Sequence, residues 1–459
     1  MKKFTIETFL IIFLINIFMS CFSCCNGQID YSLDDLTSDT QILPRMNHNP
    51  LINDLKANNT NNLFPDNNFL VSFGNVSYYR RLNLNALIDR TKLLLEIKSI
   101  QFGDSHSLML IRSTSNGKSF LYGYGSNENG QLGLDFNPGK SNVYDQWTKI
   151  SLDDHINKGL MFWNKIDYEI VDIGIGNDFS IVTIQYKKDN SLALYRFQLK
   201  KEDKFAVLAE EKDDKKTTVY KEHFDQSENK GIKQVGVFGD RILIITNDNS
   251  LYIKGVLYNL DTSDNYALYK KFNFNVISFT MGMNHSLFLT ANNELYAMGH
   301  NEYGEFGIFE ENVEEREVYL NDFFVKNNLK IVKVSTGARH SLILCNDGNV
   351  YCFGDNSDGQ CCGLEKLVIT PSKVTFDEDR DIFIVDVCCG FNHSIAKAKD
   401  GRVFFWGDSA WNKLGVKESR IDQFVPIEMS DMKIKNVVGL FAGPMQSAVY
   451  ISGGFENLQ

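Results

Sequence analysis

A unit of about fifty residues repeats along this chain, and this repetition constrains the fold more than any other feature. Residues 331–354 read IVKVSTGARHSLILCNDGNVYCFG, and residues 276–299 and 384–407 align with them without a gap. Self-similarity at a fixed period is typical of architectures in which each repeat packs against its neighbours. The sequence therefore predicts one large repeat architecture rather than two or three separate domains.

Each unit divides into short strands. In residues 331–354, alternating apolar residues predict a first strand, and two further strands follow at 341–345 and 350–353. Between these two stand Asp347 and Gly348, which tolerate the positive φ of a two-residue hairpin turn. A fourth strand is predicted in other units at 147–152, 371–376 and 426–429. Four strands in about fifty residues describe one blade of a β-propeller.

The number of units predicts the number of blades. The position of Gly337 recurs seven times, at Gly103, Gly176, Phe238, Gly282, Gly337, Gly390 and Gly443. The last unit stops before its second half, whereas an unmatched second half, residues 69–74, stands near the start. Pairing these two ends would leave no open edge between first and last blades. We therefore predict an all-β fold over residues 69–451, a seven-bladed β-propeller of four-stranded blades, closed by pairing of N- and C-terminal strands.

The second blade matches the repeat poorly. Residues 170–183 supply only a first half, and its second half cannot be placed. The residues that follow, 187–231, are heavily charged and contain KKEDK and EEKDDKK. We interpret them as a charged insertion. The third unit, 232–255, keeps the usual spacing, although Phe238 and Arg241 replace the glycine and the histidine of the other units.

The first 25 residues have the order of a secretory signal peptide. Lys2 and Lys3 precede an apolar run at 9–22, and small residues follow it. This run is shorter than the roughly 20 residues that a membrane-spanning helix needs. We predict cleavage between residues 23 and 28 and a secreted or secretory-lumen protein. The alternative is a type II membrane protein anchored by residues 4–25.

An Asn-rich leader follows the predicted signal peptide. Residues 26–68 are polar and contain too few apolar residues to form a core, so we predict that they are disordered. In a secreted protein, the sequons at Asn58 and Asn75 are candidate glycosylation sites. Two further sequons, Asn284 and Asn392, fall inside the predicted turn between strands and are expected to be less accessible.

The net charge argues against nucleic acid as the main partner. It is −11, and the chain has no block of five or more Lys and Arg residues. Proteins that neutralise phosphates over a broad surface carry the opposite sign. We expect a protein partner, which the sequence does not identify, and no membrane span after signal cleavage.

The cysteines outside the signal region cluster in a short stretch. They are Cys345, Cys352, Cys361, Cys362, Cys388 and Cys389. An even number permits one to three disulfides, and free half-buried thiols are the alternative. No C-x-x-C pair is accompanied by a second one at zinc spacing, so no metal site is predicted.

Four histidines resemble a catalytic or metal-binding set until the repeat is considered. His106, His285, His340 and His393 occupy one equivalent position in four units, each three residues after Gly103, Gly282, Gly337 and Gly390. We therefore predict that the four histidines brace a turn and that all eight residues are structural positions of the repeat, with the glycines at the backbone bend. Because the chain also lacks a G-x-S-x-G, H-E-x-x-H or P-loop motif, we predict no catalytic residues and no cofactor.

One acidic segment is a candidate docking patch. Residues 310–317 contain Glu310, Glu311, Glu314 and Glu315. The alternative is a solvated loop between blades. Propellers bind partners through loops on their two flat faces, which gives the docking interpretation a physical basis.

The motifs of the repeat resemble those of the regulator of chromosome condensation family. The G-x-x-H-S turn stands at 103–107, with N-x-x-G-Q-L-G at 127–133. Looser copies of the second motif lie at 301–307 and 409–415, and a copy at 356–363 is one residue longer. The resemblance covers about residues 69–451 and implies a seven-bladed propeller. It does not imply one function, since such propellers serve as exchange factors, light sensors, scaffolds and enzyme inhibitors.

The predicted function is that of a non-enzymatic protein-interaction module in the secretory pathway or the extracellular space. The alternative implied by the resemblance is a guanine-nucleotide exchange factor for a Ran-like small GTPase. That alternative requires residues 1–25 not to act as a signal, because small GTPases are cytosolic or nuclear.

Overall fold

Short strands alternate with turns along the part of the chain that the structure describes, because apolar residues alternate and turn-forming residues separate them. The structure is a computed structural model. It describes residues 69–74, 82–83, 95–114, 116–134, 141–156, 166–198, 219–221, 231–257, 260–261, 267–310, 314, 317–377, 381–410, 413–414, 423–428 and 437–451. The predicted signal peptide and leader, with Asn58 and Asn75, lie outside the described residues.

Within the described residues, the strands form seven four-stranded antiparallel sheets. Sheet 1 contains β3 (Leu95–Phe102), β4 (His106–Ser113), β5 (Ser119–Ser126) and β6 (Val143–Ile150). Sheet 2 contains β7 (Tyr168–Ile175), β8 (Ser180–Tyr186), β9 (Leu192–Phe197) and β10 (Val219–Lys221). Sheet 3 contains β11 (Ile232–Phe238), β12 (Arg241–Thr246), β13 (Ser250–Lys254) and β16 (Ala267–Lys271). In each, the first strand pairs with the second, the second with the third and the third with the fourth.

Three further sheets repeat this arrangement. Sheet 4 contains β17 (Val276–Met281), β18 (His285–Thr290), β19 (Leu295–Gly299) and β20 (Tyr319–Asn321). Sheet 5 contains β21 (Ile331–Thr336), β22 (His340–Cys345), β23 (Val350–Asp355) and β24 (Leu367–Lys373). Sheet 6 contains β25 (Ile384–Cys389), β26 (His393–Ala398), β27 (Val403–Gly407) and β28 (Gln423–Glu428).

Sheet 7 combines strands from the two ends of the described chain. It contains β29 (Val437–Ala442), β30 (Gln446–Ile451), β1 (Phe69–Gly74) and β2 (Leu82–Asn83), in the order β29-β30-β1-β2. The strand predicted at 69–74 is β1, and it pairs antiparallel with β30 from Phe69 opposite Ile451 to Gly74 opposite Gln446. Two distant segments therefore share one sheet.

Minor elements lie in the connections between these strands. They are a two-stranded sheet of β14 (Val256–Leu257) and β15 (Leu260–Asp261), and the short helices α1 (Asp153–Ile156) and α2 (Phe323–Lys326).

The structure differs from the sequence interpretation in sheet 2. The segment 187–231, interpreted as a charged insertion, contributes β9 and β10. β9 was missed because it lacks the glycine found at the end of the other third strands, and β10 was missed because a long charged connection separates it from β9. Residues 199–218 of this connection lie outside the described residues.

The fourth strands begin earlier than predicted. β24 begins at Leu367 rather than Pro371, and β6 and β28 likewise begin upstream of the predicted positions. Pro371 lies where the register between β23 and β24 shifts, between the pairs Gly354–Val368 and Cys352–Ser372. Because proline has no N–H, an edge strand accommodates it at such an irregularity.

The core consists of apolar clusters between neighbouring sheets. Seven clusters of buried residues occur in the described part of the chain. Six of them join consecutively numbered sheets, from sheets 1 and 2 to sheets 6 and 7. The seventh joins sheet 7 to sheet 1, where Leu70 and Tyr450 pack with Leu95, Ile100 and other residues. Apolar burial of this kind is the main favourable term in folding, and here every sheet takes part in two such clusters.

Candidate functional site

The first strands of all seven sheets line one central cavity, the channel. Its volume is about 500 Å³. The lining contains residues 99–104, 172–177, 235–239, 279–281, 335–338, 388–391 and 440–444. At one end of the channel lie the turns between first and second strands, together with the connections from third to fourth strands. We name this end the turn face and the opposite end, with the hairpins between second and third strands, the hairpin face.

Every first strand contains a β-bulge at the same position near the hairpin face. In each first strand, the pairing with the second strand skips one residue, and the register shifts between its two neighbours. The skipped residues are Lys98, Val171, Lys233, Ile277, Val332, Val385 and Val438. Bulges bend a strand and leave the extra residue unpaired. Five of the seven are exposed apolar residues, from 39% exposure at Val385 to 56% at Val332.

The four predicted histidines lie at the turn face, where each ring bonds to the next sheet. Their rings are buried, and each Nε2 atom lies within hydrogen-bonding distance of a serine hydroxyl. The distances are 2.9 Å for His106 and Ser180, 3.0 Å for His285 and Ser341, 3.0 Å for His340 and Ser394, and 2.8 Å for His393 and Ser447. The set is thus spread over four sheets and forms no common site.

The hydroxyl partners indicate how these rings are protonated. Ser394 Oγ donates to the Gln360 carbonyl at 2.8 Å, and Ser180 Oγ donates to that of Gln131 at 2.8 Å. Because a hydroxyl has one proton, His340 and His106 must donate from Nε2 to these serines. A neutral ring then leaves Nδ1 without a proton.

Burial keeps all four rings neutral. Desolvation lowers the pKa of His106 and His340 to about 4 and that of His285 to about 3. It also lowers the pKa of His393 well below its usual value, with Lys413 adding a smaller effect of the same sign. A ring that is neutral and held by a serine braces the boundary between two sheets.

The three remaining sheets use other residues at the histidine position. Arg241 of sheet 3 donates to the carbonyl groups of Met283 and Gly282 in sheet 4. Gln446 of sheet 7 donates to the Gly103 carbonyl of sheet 1 at 3.3 Å. Phe179 of sheet 2 is buried in the apolar cluster shared with sheet 3. Each sheet therefore contacts its successor at this level, and sheet 7 contacts sheet 1.

The glycines of the turn make room for these rings. A Cβ atom on Gly337 would lie 2.2 Å from Cε1 of His340 and 2.6 Å from the Gly390 carbonyl oxygen. The same conflict with the sheet's own histidine occurs at Gly282 and Gly390, whereas at Gly103 the Cβ would meet Ile175 of sheet 2 at 2.7 Å. Glycine is needed at this position because the histidine ring or the neighbouring sheet leaves no room for a Cβ atom.

The second motif braces the loop that follows each third strand. Asn127 Oδ1 accepts the Leu132 N–H at 2.9 Å, and its Nδ2 donates to the Leu134 carbonyl at 3.1 Å. Asn301 and Asn356 make the same kinds of bond in sheets 4 and 5. These asparagines replace missing backbone partners in the loop, so the motif is structural.

One disulfide occupies a position that is apolar in other sheets. Cys352 and Cys361 are joined across a separation of nine residues. The same spacing separates Gly123 from Leu132, Ala297 from Phe306, and Phe405 from Leu414, and these pairs also meet in the core. Cys361 therefore replaces the apolar side chain that fixes the loop against the third strand.

The other cysteines of the described chain are free thiols. They are Cys345, Cys362, Cys388 and Cys389. Desolvation raises the pKa of Cys345 to about 12 and that of Cys388 to about 11, and it raises the pKa of Cys362 and Cys389 further. Because the thiolate is the reactive form, we expect these thiols to react slowly. The sequence allowed one to three disulfides or free thiols. The structure has one disulfide, and the other four cysteines are free.

The turn face combines acidic and apolar residues. The turns of sheets 1, 2 and 3 present Asp104, Asp178 and Asp240, all of them exposed. The turns of sheets 4 and 7 present Met283 and Met445, which are 37% and 42% exposed. In the outer loops of sheets 4 and 5, Phe309 is 68% exposed and Leu364 is 87% exposed. This face offers both charge and apolar area to a binding partner.

The structure describes only part of the predicted acidic segment and of the predicted glycosylation sites. Glu310 is exposed in the described part of the acidic segment, and Glu311 and Glu315 lie outside the described residues, as do the predicted sequons Asn58 and Asn75. Asn392 donates from Nδ2 to Asp358 at 2.9 Å in the turn, and Asn284 is half-buried.

The described residues contain no cluster of side chains arranged to bind a metal ion. No cluster of three or more His, Cys, Asp or Glu side chains is placed to hold a metal ion in this part of the chain. A separate search of the same residues finds no helix with the length and apolar character needed to cross a membrane.

Comparison with known proteins identifies the repeat. The family described as "Regulator of chromosome condensation (RCC1) repeat" matches residues 276–305, 331–360 and 384–410, and a second description of that repeat matches 347–396. A Protein RCC2 homolog of Xenopus laevis is 30% identical over 199 residues, which cover 38% of this chain and 38% of that protein. The chain therefore contains RCC1 repeats, and its match spans well under half of this curated relative.

Two solved structures have a similar fold. Prp20p from Saccharomyces cerevisiae superposes with a TM-score of 0.61 at 18% identity, covering 86% of this chain and 93% of that one. Human WBSCR16 superposes with a TM-score of 0.61 at 16% identity, covering 84% and 99%. Identities this low show the fold alone, which is that of RCC1-type β-propellers.

Proposed function

We propose that this chain is a non-catalytic protein-binding module of the secretory pathway or the extracellular space. Its scaffold is a closed, seven-bladed propeller over residues 69–451, in which sheets 1 to 7 are the blades. Closure is supported by the pairing of β1 with β30 and by contacts from sheet 7 to sheet 1. Gln446 donates to the Gly103 carbonyl, and the Tyr450 hydroxyl donates to the Leu95 carbonyl at 3.0 Å.

The observation that carries the binding function is the composition of the turn face. Phe309 and Leu364 expose most of their surface on loops of sheets 4 and 5 that a rigid scaffold supports, on the face that also carries the acidic turns of sheets 1 to 3. Loops on a rigid framework carry binding functions more often than the framework itself, and exposed large apolar groups mark sites of association. The four histidines, which would be the first candidates for catalysis, are buried and neutral and brace the sheets.

The disulfide supports the proposed compartment. Disulfides persist in secreted proteins and in the secretory lumen, whereas cytosolic thiols stay reduced. The Cys352–Cys361 bond lies in the core and fixes a loop of sheet 5, so it would serve the fold rather than a reaction. This agrees with the signal peptide predicted at residues 1–25.

The second candidate function is guanine-nucleotide exchange on a small GTPase. Prp20p, whose fold is similar, binds Gsp1p and histones, and this similarity of fold favours the alternative. It requires cytosolic or nuclear protein that retains its N-terminal residues. The two candidates therefore differ in the N-terminus of the mature chain and in activity towards GTPases.

The experiment that tests the binding function compares the two faces. Phe309→Ser with Glu310→Gln changes the turn face, and Val332→Ser with Asp347→Asn changes the hairpin face as a matched control. Secreted chain would be cross-linked to its partners at the surface of the producing cells, and the cross-linked sites mapped by mass spectrometry. We expect cross-links on turn-face loops that the first variant loses and the control keeps. Loss in the control alone would contradict the proposal.

A further inference from the structure

The channel contains two carboxyl groups that no positive charge neutralises. Asp104 lies at its turn-face end, in the turn after β3, and Asp172 lies on β7 near the hairpin face. Neither has a charged partner among the described residues. Both side chains are exposed to the channel, but the surrounding strands partly desolvate them and raise the pKa of both, that of Asp172 to about 6, although its carboxylate accepts the Ile173 N–H at 2.8 Å.

The cations near the channel are already engaged. Lys333 Nζ lies 2.6 Å from Oδ1 of Asp386, so this pair adds no net charge. At the hairpin-face end, Lys98 forms an ion pair of 3.0 Å with Glu96, and Lys233 donates to the side-chain oxygens of Asn275 and Asn249 at 2.7 and 3.3 Å. On the second strand behind Asp172, β8, no residue carries a charge. Lys98 and Lys233 do not line the channel itself, so Asp104 and Asp172 are the charged residues of its lining apart from the paired Lys333.

A smaller cavity of about 270 Å³ adjoins Asp172 and is lined by both apolar and polar residues. Val171, Leu192 and Phe279 line this cavity together with Gln234 and Lys233, whose ammonium group donates to Asn275 and Asn249. Gln234 donates from Nε2 to the Ile277 carbonyl, while its Oε1 is buried and accepts no hydrogen bond from the described residues. A carboxyl group, an unsatisfied carbonyl oxygen and an aromatic ring are the groups that bind an alkylammonium ion.

The separation of the two carboxyl groups favours a long ligand. Asp104 follows Gly103 by one residue, and Asp172 precedes the equivalent Gly176 by four. Five residues of extended strand correspond to about 16 Å along the channel. One small cation cannot reach both groups, whereas an extended chain with ammonium groups at both ends can.

We propose that the channel binds a linear organic polycation, with one ammonium group at Asp104 and another at Asp172. The same chemistry is offered by a free polyamine and by a basic side chain of a bound protein that enters from the turn face. The site does not depend on the protein-binding function proposed above, since a free polyamine would occupy it without any partner.

Titration calorimetry with spermine tests this site in the purified full chain at low ionic strength. We expect Asp104→Asn and Asp172→Asn each to weaken binding at least tenfold and the double variant to abolish measurable binding. Asp347→Asn, on a hairpin of the opposite face, removes the same charge and should change the affinity less than twofold. Because both side chains are exposed to the channel and form no ion pair among the described residues, asparagine should not lower the thermal midpoint, so lost binding would not reflect unfolding.

Proton release provides a second, independent measurement. An ammonium group beside Asp172 favours its charged form and lowers its pKa, so binding near pH 6 should release protons and should weaken towards pH 5. Calorimetry in two buffers of different ionisation heat measures this release. Asp172→Asn should remove most of it.

Further titrations distinguish the source of the cation. A short peptide with Lys and Arg side chains that binds, while spermine does not, would assign the site to a protein side chain, provided that the two Asn substitutions also remove its binding. The proposal is overturned if neither probe binds, if the double variant binds as the unmodified chain does, or if Mg²⁺ competes with spermine at equal concentration.

Discussion

The Nε2 atom of His340 lies 3.0 Å from the Oγ atom of Ser394, across the boundary between sheets 5 and 6. The same relationship joins three other pairs of neighbouring sheets, and Arg241 and Gln446 make polar contacts at two further boundaries. A repeated position that resembles an active-site histidine in the sequence is therefore part of the framework.

The first prediction concerns the energy of this contact. His340→Phe removes the donor, and the chain itself carries Phe179 at the equivalent position of sheet 2. Because Ser394 loses a buried donor, we expect each of His340→Phe and Ser394→Ala to lower the free energy of unfolding by about 1–3 kcal/mol. Urea unfolding of both single variants and the double variant gives the coupling energy, which we expect to be about 1 kcal/mol. Strictly additive effects would contradict a direct bond.

The second prediction concerns pH. Since the folded-state pKa of His340 is about 4 and that of an unfolded histidine is near 6.5, the unfolded chain binds more protons between these values. Stability contributed by the neutral ring is thus present above pH 6.5 and falls as the pH decreases towards 4. Asp172 and Glu305, whose pKa values burial raises to about 6 and 7, act in the opposite direction.

Comparison with His340→Phe isolates the histidine, because both carboxyl groups are common to the two proteins. Between pH 6 and 4.5, the unfolding free energy of the unmodified chain should fall more steeply than that of the variant, by about 1.4 kcal/mol per pH unit. Parallel curves over this range would show that His340 does not stay neutral in the fold.

The third prediction concerns the disulfide. Closing a loop of this length is expected to contribute about 3 kcal/mol. Replacing Cys352 and Cys361 by Ser should therefore lower the free energy of unfolding by about that amount. The free energy of unfolding of this variant should be the same with and without reductant. Cys352→Ala with Cys361→Phe copies the Ala297–Phe306 pair of sheet 4 and should recover part of the loss.

A thiol assay of the secreted chain checks the same bond. Denatured protein should show four free thiols among residues 345–389 before reduction and six after it, whereas the native protein should react slowly because two of the four are buried and two are half-buried. Six reactive thiols without reductant would mean that the bond does not form.

The fourth prediction concerns closure. Deleting residues 1–75 removes β1 and leaves β30 without a partner on one side, whereas deleting residues 1–60 keeps the strand. Burial of Leu70 alone is worth about 1.5–3 kcal/mol. We expect a much lower thermal midpoint for the longer deletion and little change for the shorter one. Equal midpoints would show that the pairing of the two ends contributes nothing.

Much of the fold could be predicted from the sequence because the repeat places equivalent residues together. The spacing that aligns His340 with His393 also predicted that both are structural. Sheet 2 was harder to predict, since β10 has only three residues and follows a long charged connection. The pairing of Cys352 with Cys361 could have been inferred from the alignment, because Cys361 stands at the position of Leu132 and Phe306.

The channel could not be predicted from one sequence. Asp104 and Asp172 belong to different sheets and occupy different positions of the repeat, so no local pattern connects them. Their environment depends on how closely the first strands approach, and on bulges that periodicity alone does not reveal. The exposed Phe309 and Leu364 likewise stand in loops where the repeat imposes no pattern.

The release of labelled GDP from Ran separates the two candidate functions most directly. The release rate would be measured with the purified mature chain at one to about ten equivalents per Ran. Ran in buffer without the chain gives the intrinsic rate as the reference. As a protein-binding module without exchange activity, the chain should leave the release rate within twofold of the intrinsic rate. A large acceleration that rises with the amount of chain would contradict the account and establish an exchange factor.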